Sequence, residues 1–434
     1  MDGRIAVIGA GAAGLASARW LLEEGFAPTV LERSAGLGGL WRQDTGLTYR
    51  SLRTNTSKQK TAFSDLPFDD ALPDFPGRAD VLAYLERFSA RFDLAPHIRF
   101  GITVRDVRPG DGVWWVDGEP FAAVVVCSGL FTRAVEPALS GRERFGGSIV
   151  HSSAYREAGP YTGQDVVVVG AGSSAIDIAC ELAPVARSVQ LSMRDVPTFT
   201  PREYRGRPFD HRTTRLARLL PVGIRAWRVR RAIADEYRRR GARLDRVRMK
   251  RTPGTDVLSE IAAGRIITRP RIASLDLTGV TFADGSRAPA DAVILGTGYR
   301  VEFPFLPSGV PGTVDGAFGL YCLVFPPGVG GLAFAGMCRV FGPVFPIVEL
   351  QARWIAAVLA GRLRLPPADA MRLEIASRVA KARATGGDPM RVELLDYLDE
   401  VAARLGAKPS IIRHPGLLTA PVSARDYRPR LRGP

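Results

Sequence analysis

Two short glycine-rich runs about 160 residues apart constrain this chain more than anything else in it. The first, GAGAAG, sets Gly9, Gly11 and Gly14 at G-x-G-x-x-G spacing directly after the apolar run Arg4 to Ile8. The second, GAGSSA, sets Gly170, Gly172 and Ala175 at G-x-G-x-x-A spacing after Asp165 to Val169, with Ser173 and Ser174 opening the helical pattern that follows. Each position has a physical reason. The first glycine allows a tight turn, the second lets the backbone approach a pyrophosphate, and the third small residue lets the helix pack on its strand, while the helix N-terminus offers N–H groups to phosphate. Glycines alone are weak evidence. Here the first set continues through Ala13 into a helix and then a second apolar run, Pro28 to Leu31, that ends in Glu32. An acid at that place accepts hydrogen bonds from an adenosine ribose. Two such units imply an α/β fold with two Rossmann-like dinucleotide-binding domains.

The second unit differs from the first in the feature that selects the nucleotide. Its next strand, Ser188 to Met193, carries Ser192 and ends at Arg194, with no acid at the tip. An arginine suits a ribose 2′-phosphate, so NADPH is preferred over NADH, although Asp195 follows immediately.

Between the two units lie features with two readings each. The run GLGGLW, Gly36 to Trp41, is either a surface turn with one buried tryptophan or a loop passing close under a bulky cofactor, with Gly39, Leu40 and Trp41 as its contacts. Asn55 stands between Thr54 and Thr56 in a chain that has no other asparagine. It is either a turn residue, as asparagines in loops commonly are, or a group facing the reactive edge of a flavin. Residues Ile98 to Val104 and Gly112 to Val116 read as strands, and Ala122 to Cys127 as a buried strand opening into CSGL. Further on, the stretch from Pro346 is strongly helical and carries Glu349, Gln351 and Arg353, placing a helix N-terminus where it can close the first nucleotide-binding domain. Met390 to Leu405 reads as a final helix.

The four cysteines, Cys127, Cys180, Cys322 and Cys338, form no CxxC or CxxxxC pair, which argues against a zinc site, a disulfide framework and a dithiol reductase. No nucleophile, base and acid combine as a hydrolase triad. The N-terminus enters a strand without a basic, cleavable leader, and no window approaches the roughly 18 uninterrupted apolar residues of a membrane span, so a cytoplasmic protein is expected. The net charge of +15 is concentrated between Pro201 and Arg251, where Lys and Arg outnumber Asp and Glu by 18 to 5. Leu216, Leu219, Leu220, Ile224, Trp227 and Ile233 form a rough apolar stripe there. A solvated basic face comes first. A lid over the nucleotide domain or weak contact with an anionic membrane surface are alternatives, and nucleic acid is not expected because no reading motif accompanies the charge.

Taken together, GAGAAG with Glu32, GGLW, TNTSK followed by FSDLPF, F-x-G-x-x-x-H-x-x-x-Y over Phe145 to Tyr155, GAGSSA, the GTGY turn at Gly296 to Tyr299, and E-x-Q-A-R-W from Glu349 resemble the flavin-containing monooxygenases. These belong to the single-component flavoprotein class that also holds Baeyer–Villiger and N-hydroxylating enzymes. The likeness runs from Arg4 to about Trp354. The Baeyer–Villiger version of the signature closes on Trp followed by Pro or Asp, whereas Tyr155 is followed by Arg156. Three departures stand out: CSG at Cys127 to Gly129 for a usual ATG, Ala175 for a common glycine, and no C-terminal hydrophobic anchor.

The resemblance implies an FAD-binding domain of residues 1–160 and 295–434. An NADPH-binding domain of residues 161–294 is inserted into it and carries the arginine-rich helical insert near 201–251. It implies FAD contacts from Gly9, Gly11, Ala13, Gly14, Glu32, Gly39, Leu40, Trp41, Thr54, Asn55, Thr56, Val104 and Gln351. NADPH contacts are implied for Gly170, Gly172, Ser173, Ser174, Ala175, Ser192 and Arg194. NADPH reduces the flavin, O2 adds to give a C4a-hydroperoxyflavin, and a small nucleophile, an amine nitrogen or a sulfide sulfur, takes the distal oxygen. Asn55 is the residue implied nearest to that chemistry, and His151 and Tyr155 are read as structural. No metal is called for, and substrate identity and oligomeric state stay open.

Overall fold

The structure, a computed structural model, describes residues 3–243, 251–314 and 317–428. Part of the basic segment, residues 244–250, and the last of the polar tail, residues 429–434, lie outside the described residues. In chain order the elements used below are β1 (Arg4–Ile8), α1 (Ala12–Glu23), β2 (Ala27–Glu32), α2 (Arg78–Arg91), β3 (Ile98–Phe100), β4 (Ala123–Val126), β5 (Ser148–His151), β6 (Asp165–Val169), α3 (Ser173–Leu182), β7 (Ser188–Ser192), α4 (Val222–Arg239), β8 (Ile266–Arg269), β9 (Ala292–Leu295), β10 (Leu332–Phe334), α5 (Phe345–Leu359), α6 (Ala368–Ala384) and α7 (Leu394–Arg404).

The chain divides into two compact units. One comprises Met1–Thr45, Thr56–Thr132 and Val301–Pro434, the other Gly46–Asn55 and Arg133–Arg300. The first is built on a parallel sheet in the order β10-β4-β1-β2-β3. Because successive side chains alternate between faces, Ile5, Val7, Ala123 and Val125 join one core with α1, α2 and α5, whereas Ala6, Ile8, Val124 and Val126 join another. That second core is completed by Trp114, Val116 and Phe121 of a three-stranded antiparallel sheet. A parallel sheet covered on both faces needs strands that are apolar throughout, as IAVI and AVVV are. Burying each Val or Ile fully contributes about 1.5–3 kcal/mol relative to leaving it exposed.

The second unit repeats the plan. Its sheet runs β8-β7-β6-β9-β5, all parallel. Val166 and Val168 face a core with α3, while Val167 faces a smaller one shared with the antiparallel strands Ile272–Asp276, Gly279–Phe282 and Arg287–Pro289. The C-terminal half of α4 packs on the first of these cores through Ile233 and Tyr237.

Several sequence readings shift. The break between units falls after Thr132 and Arg300 rather than at 160 and 294, because β5 pairs with β9, Ser148 opposite Ala292 through His151 opposite Leu295. Gly46–Asn55 groups with the second unit, where Tyr49 is buried in the core and Leu52 packs against it. Strand β3 stops at Phe100, with Gly101 at φ +72° turning the chain, so Val104 lies beyond it. Helix α6 was not anticipated: it buries only Met371, Ile375 and Val379 in 17 residues. The final helix is shorter than read, Leu394–Arg404. Among the described residues no helix is long and apolar enough to cross a membrane.

Candidate functional site

In the first unit the turn between β1 and α1 forms a cradle. Gly9 has φ +106°, and a Cβ there would stand 2.8 Å from the Cys127 carbonyl oxygen; one on Gly14 would stand 1.8 Å from the Gly9 carbonyl oxygen. No larger residue fits either place without opening the turn. On the open side, a Cβ at Gly11 would meet nothing nearer than the Gly39 Cα at 3.7 Å. Helix α1 begins at Ala12, and its N-cap Gly11 has no side chain with which to cap it. The orphan N–H groups of a first turn, with the helix dipole, attract an anion.

Glu32 is buried at the end of β2. Its Oε2 accepts the Ala10 N–H at 2.7 Å, and its Oε1 accepts the Ser34 N–H and hydroxyl at 2.9 and 2.7 Å. Gly38 N–H donates to the Ala10 carbonyl at 3.0 Å, tying the GLGGLW loop to the same turn. Gly39, Leu40 and Trp41 form a single 3₁₀ turn there, all half-buried. The Ser128 hydroxyl, beside Gly9, is buried with no hydrogen-bond partner among the described residues. Sequence reading noted Ser128 only as a departure from ATG; burial is what singles it out.

The second unit holds a matching cradle between β6 and α3. Gly170 has φ +138°, and its Cβ would stand 2.3 Å from the Gly296 carbonyl oxygen. Gly172 faces open space, and α3 starts at Ser173 with this glycine as its uncapped N-cap. Ala175 in place of a third glycine has a steric reason: a Cβ on Gly296 would lie 2.7 Å from the Ala175 methyl. In the first unit the helix carries the glycine, Gly14, with the Cys127 Cβ 3.7 Å from where its methyl would be; in the second the helix carries the methyl and the strand end carries the glycine.

Asn55 lies in this second unit, exposed, within a hydrogen-bonded network. Its Oδ1 accepts from Arg202 Nη2 at 2.9 Å. The same nitrogen donates to Asp177 of α3 at 3.0 and 3.4 Å, and the Tyr49 hydroxyl donates to Asp177 at 3.1 Å. Burial, with the Asp177 charge second, pushes the Tyr49 phenol well above its ordinary range, so this hydroxyl stays protonated as a donor. Thr54 is buried beside Asn55, and its hydroxyl has no partner among the described residues. Arg202 escaped sequence reading because arginines crowd this segment; Arg202 and Arg215 are both buried there, and it is the contacts with Asn55 and Asp177 that mark Arg202.

Other expected contacts fall differently. Gln351 is fully buried: its Oε1 accepts the Gly336 N–H at 2.8 Å and its Nε2 donates to the Tyr397 hydroxyl at 2.6 Å, so this side chain is engaged within the fold. Neighbouring Glu349 accepts from the Ser64 N–H at 2.8 Å, and Arg353 donates to the Tyr427 carbonyl. Ser192 is likewise buried, its hydroxyl donating to the Pro270 carbonyl at 2.8 Å. Arg194 is exposed past the tip of β7, with Asp195 3.6 Å away. Thr56 bonds Thr61 at 2.8 Å, and Ala13 and Val104 are half-buried. His151 takes the Ser153 N–H on Nδ1 at 3.1 Å, which leaves Nε2 to donate to the Gly298 carbonyl at 3.1 Å.

Two parallel-sheet units, each with an open glycine turn on an uncapped helix, define a protein that binds two dinucleotides. Residues 2–426 match the family model described as Flavin-binding monooxygenase-like. The chain is 35% identical over 447 residues to dimethylaniline monooxygenase (N-oxide-forming) 2 of Rattus norvegicus, covering 94% of this chain and 84% of that protein. It therefore belongs to the flavin-binding monooxygenase family, whose members use FAD and NADPH. Among solved structures, the S-allyl-L-cysteine S-oxygenase of Allium sativum superposes with TM-score 0.71 at 29% identity, over 93% of this chain and 88% of that one. Cyclohexanone monooxygenase from Rhodococcus sp. Phi1 shares the fold, with TM-score 0.70 at 19% identity over 93% and 97% of the two chains. The open glycine turns, the uncapped helices and the orphaned Ser128 and Thr54 hydroxyls fit such cofactors.

Proposed function

We propose that this enzyme uses NADPH and O2 to oxygenate a soft nucleophile, an amine nitrogen or a sulfide sulfur, with FAD as its resident cofactor. The observation that carries the reading is the doubled cradle: two glycine turns of one design, each opening onto an uncapped helix N-terminus. FAD is assigned to the first unit. Gly9, Gly11, Ala13 and Gly14 would admit its pyrophosphate, Glu32 would orient Ala10 and the adenosine ribose, and Gly39 to Trp41 would lie under the ring system. NADPH is assigned to the second, with Gly170, Gly172, Ser173 and Ser174 at the pyrophosphate and Arg194 at the 2′-phosphate. In this assignment Gln351 and Ser192 act through the backbone groups they hold. The flavin, when bound, supplies the redox chemistry, accepting hydride from NADPH and transferring one atom of O2.

Asn55 is assigned to the reacting centre as a hydrogen-bond partner, a contact typically worth ~2–4 kcal/mol at the transition state. Names of relatives support both nucleophile types: one is an N-oxide-forming monooxygenase, another an S-oxygenase. N-hydroxylation or Baeyer–Villiger oxygenation is the alternative within this architecture, and Tyr155 followed by Arg156 speaks against the latter. We read the enzyme as cytoplasmic, its exposed α4 surface touching an anionic membrane weakly at most.

The test is a balance sheet on FAD-loaded protein: NADPH consumed, O2 consumed, peroxide released and oxygenated product formed, with tertiary amines, thioethers and ketones as candidates. N-oxide or sulfoxide matching the NADPH consumed is the expected result. Lactone or ester from ketones alone would move the assignment to the alternative, and peroxide without product from any candidate would sink it. Asn55→Ala is expected to keep FAD and still oxidise NADPH, with product lost to peroxide.

A further inference from the structure

We infer that Arg202 fixes the direction in which Asn55 presents its amide, and that Arg202 is thereby a positioning residue for oxygenation; this rests on the reading of Asn55 given above. A carboxamide has an accepting and a donating end of nearly the same shape, so packing alone does not decide which way it points. A guanidinium only donates. With Arg202 Nη2 at 2.9 Å, the oxygen of Asn55 must face Arg202 and the NH2 group must face away from it. The positive charge on the carbonyl end also polarises the amide, which makes its N–H groups stronger donors.

The arginine is itself held. Its side chain is 7% exposed, and Asp177 supplies a countercharge at 3.0 Å, with Asp256 farther off at 3.8 Å. Asp177 is steadied by the Tyr49 hydroxyl, and Asp256 is shared with Arg53 and Arg240, each at 2.9 Å. The main chain of Arg202 is pinned as well, its carbonyl accepting the Phe209 N–H at 2.7 Å. A buried guanidinium with a fixed carboxylate and a fixed backbone has little freedom to turn from Asn55. Asp177 is on α3, the helix that starts at the second glycine turn, so the amide direction is set from the same helix as that cradle.

Because the chain has one asparagine, labelling the FAD-loaded enzyme with [15N]asparagine yields a single side-chain NH2 signal, which reads the amide directly. In Arg202→Met, of similar length but without donors, this signal is expected to move toward the position of a free amide. Product formed per NADPH is expected to fall by about tenfold, the scale on which outer partners of a site act. Arg202→Lys, which keeps the charge, is expected to restore part of both, and it serves should the methionine variant not fold. Adding Arg202→Met to Asn55→Ala is expected to lower coupling no further. An unmoved NH2 signal in both Arg202 variants overturns the inference. So does a moved signal with coupling intact, provided that Asn55→Ala uncouples; in that case the reading of Asn55 stands and Arg202 is merely structural. Intact coupling in Asn55→Ala removes the reading of Asn55, and the inference with it.

Discussion

Glu32, proposed above to orient the adenosine ribose, also holds the first glycine turn in shape. Both oxygens are engaged by backbone and hydroxyl donors of the first glycine turn and of Ser34, so the residue shapes the cradle before any ligand arrives. Glu32→Ala leaves the Ala10 N–H without its acceptor, at a cost of about 1–3 kcal/mol. A lower melting temperature and FAD lost on gel filtration are the expected readouts. His151 makes a different prediction. Burial holds its pKa below the ordinary 6.5, and the Ser153 N–H on Nδ1 requires the neutral ring. The folded state therefore resists a proton that the unfolded state accepts. The stability contributed is present above pH 6.5 and declines as pH falls below it toward the folded pKa. Melting temperatures between pH 8 and 5 should fall less steeply in His151→Gln than in the parent. The identity of these residues was plain in the sequence; the tautomer of one and the second role of the other were not, because both depend on donors that folding brings in.

Among the elements, α4 is packed along only part of its length. Its C-terminal half is anchored by Ile233 and Tyr237, whose hydroxyl accepts the Phe199 N–H at 2.8 Å, but Val222, Ile224 and Trp227 are 70, 46 and 57% exposed among arginines. The stripe expected from sequence holds only in part: Leu216 and Leu219 belong to a separate short helix, Arg215–Leu219, that ends at Leu220, while Ile224, Trp227 and Ile233 lie on α4. Which part of it would be covered was not legible, since periodicity names a face and not its neighbour. An exposed apolar and basic face of this kind is expected to bind vesicles containing anionic lipid only weakly, and to release them as salt rises from about 50 to 300 mM. Co-sedimentation checks this, with Trp227→Ala binding several-fold less; retention on purely zwitterionic vesicles regardless of salt would contradict it. Helix α6 shows the opposite failure, for three buried side chains give too little pattern to stand out from a polar stretch.

At the scale of the whole molecule the four thiols report on the integrity of both units. All are free; burial pushes Cys127, Cys180 and Cys338 up to about 12 and Cys322 higher still. A thiol must ionise to react, so a chromogenic disulfide reagent at pH 8 should label none of them quickly in the native enzyme and all four in denaturant. Fast labelling of Cys127 or Cys338 without denaturant would mean that the first unit opens. What the sequence determined by itself was the doubled α/β plan, because glycine spacing, strand apolarity and a terminal acid are local requirements of a nucleotide turn, satisfied within some thirty residues. What only the tertiary structure decided was where each side chain's hydrogen bonds go: that β5 joins the second sheet, that Gln351 and Ser192 are engaged inside the fold, and that Arg202 is the arginine turned in toward Asn55. Those partners lie from 15 to 147 residues apart in the chain. No local pattern encodes such pairings; they follow from which donors and acceptors folding brings within reach of one another and away from water.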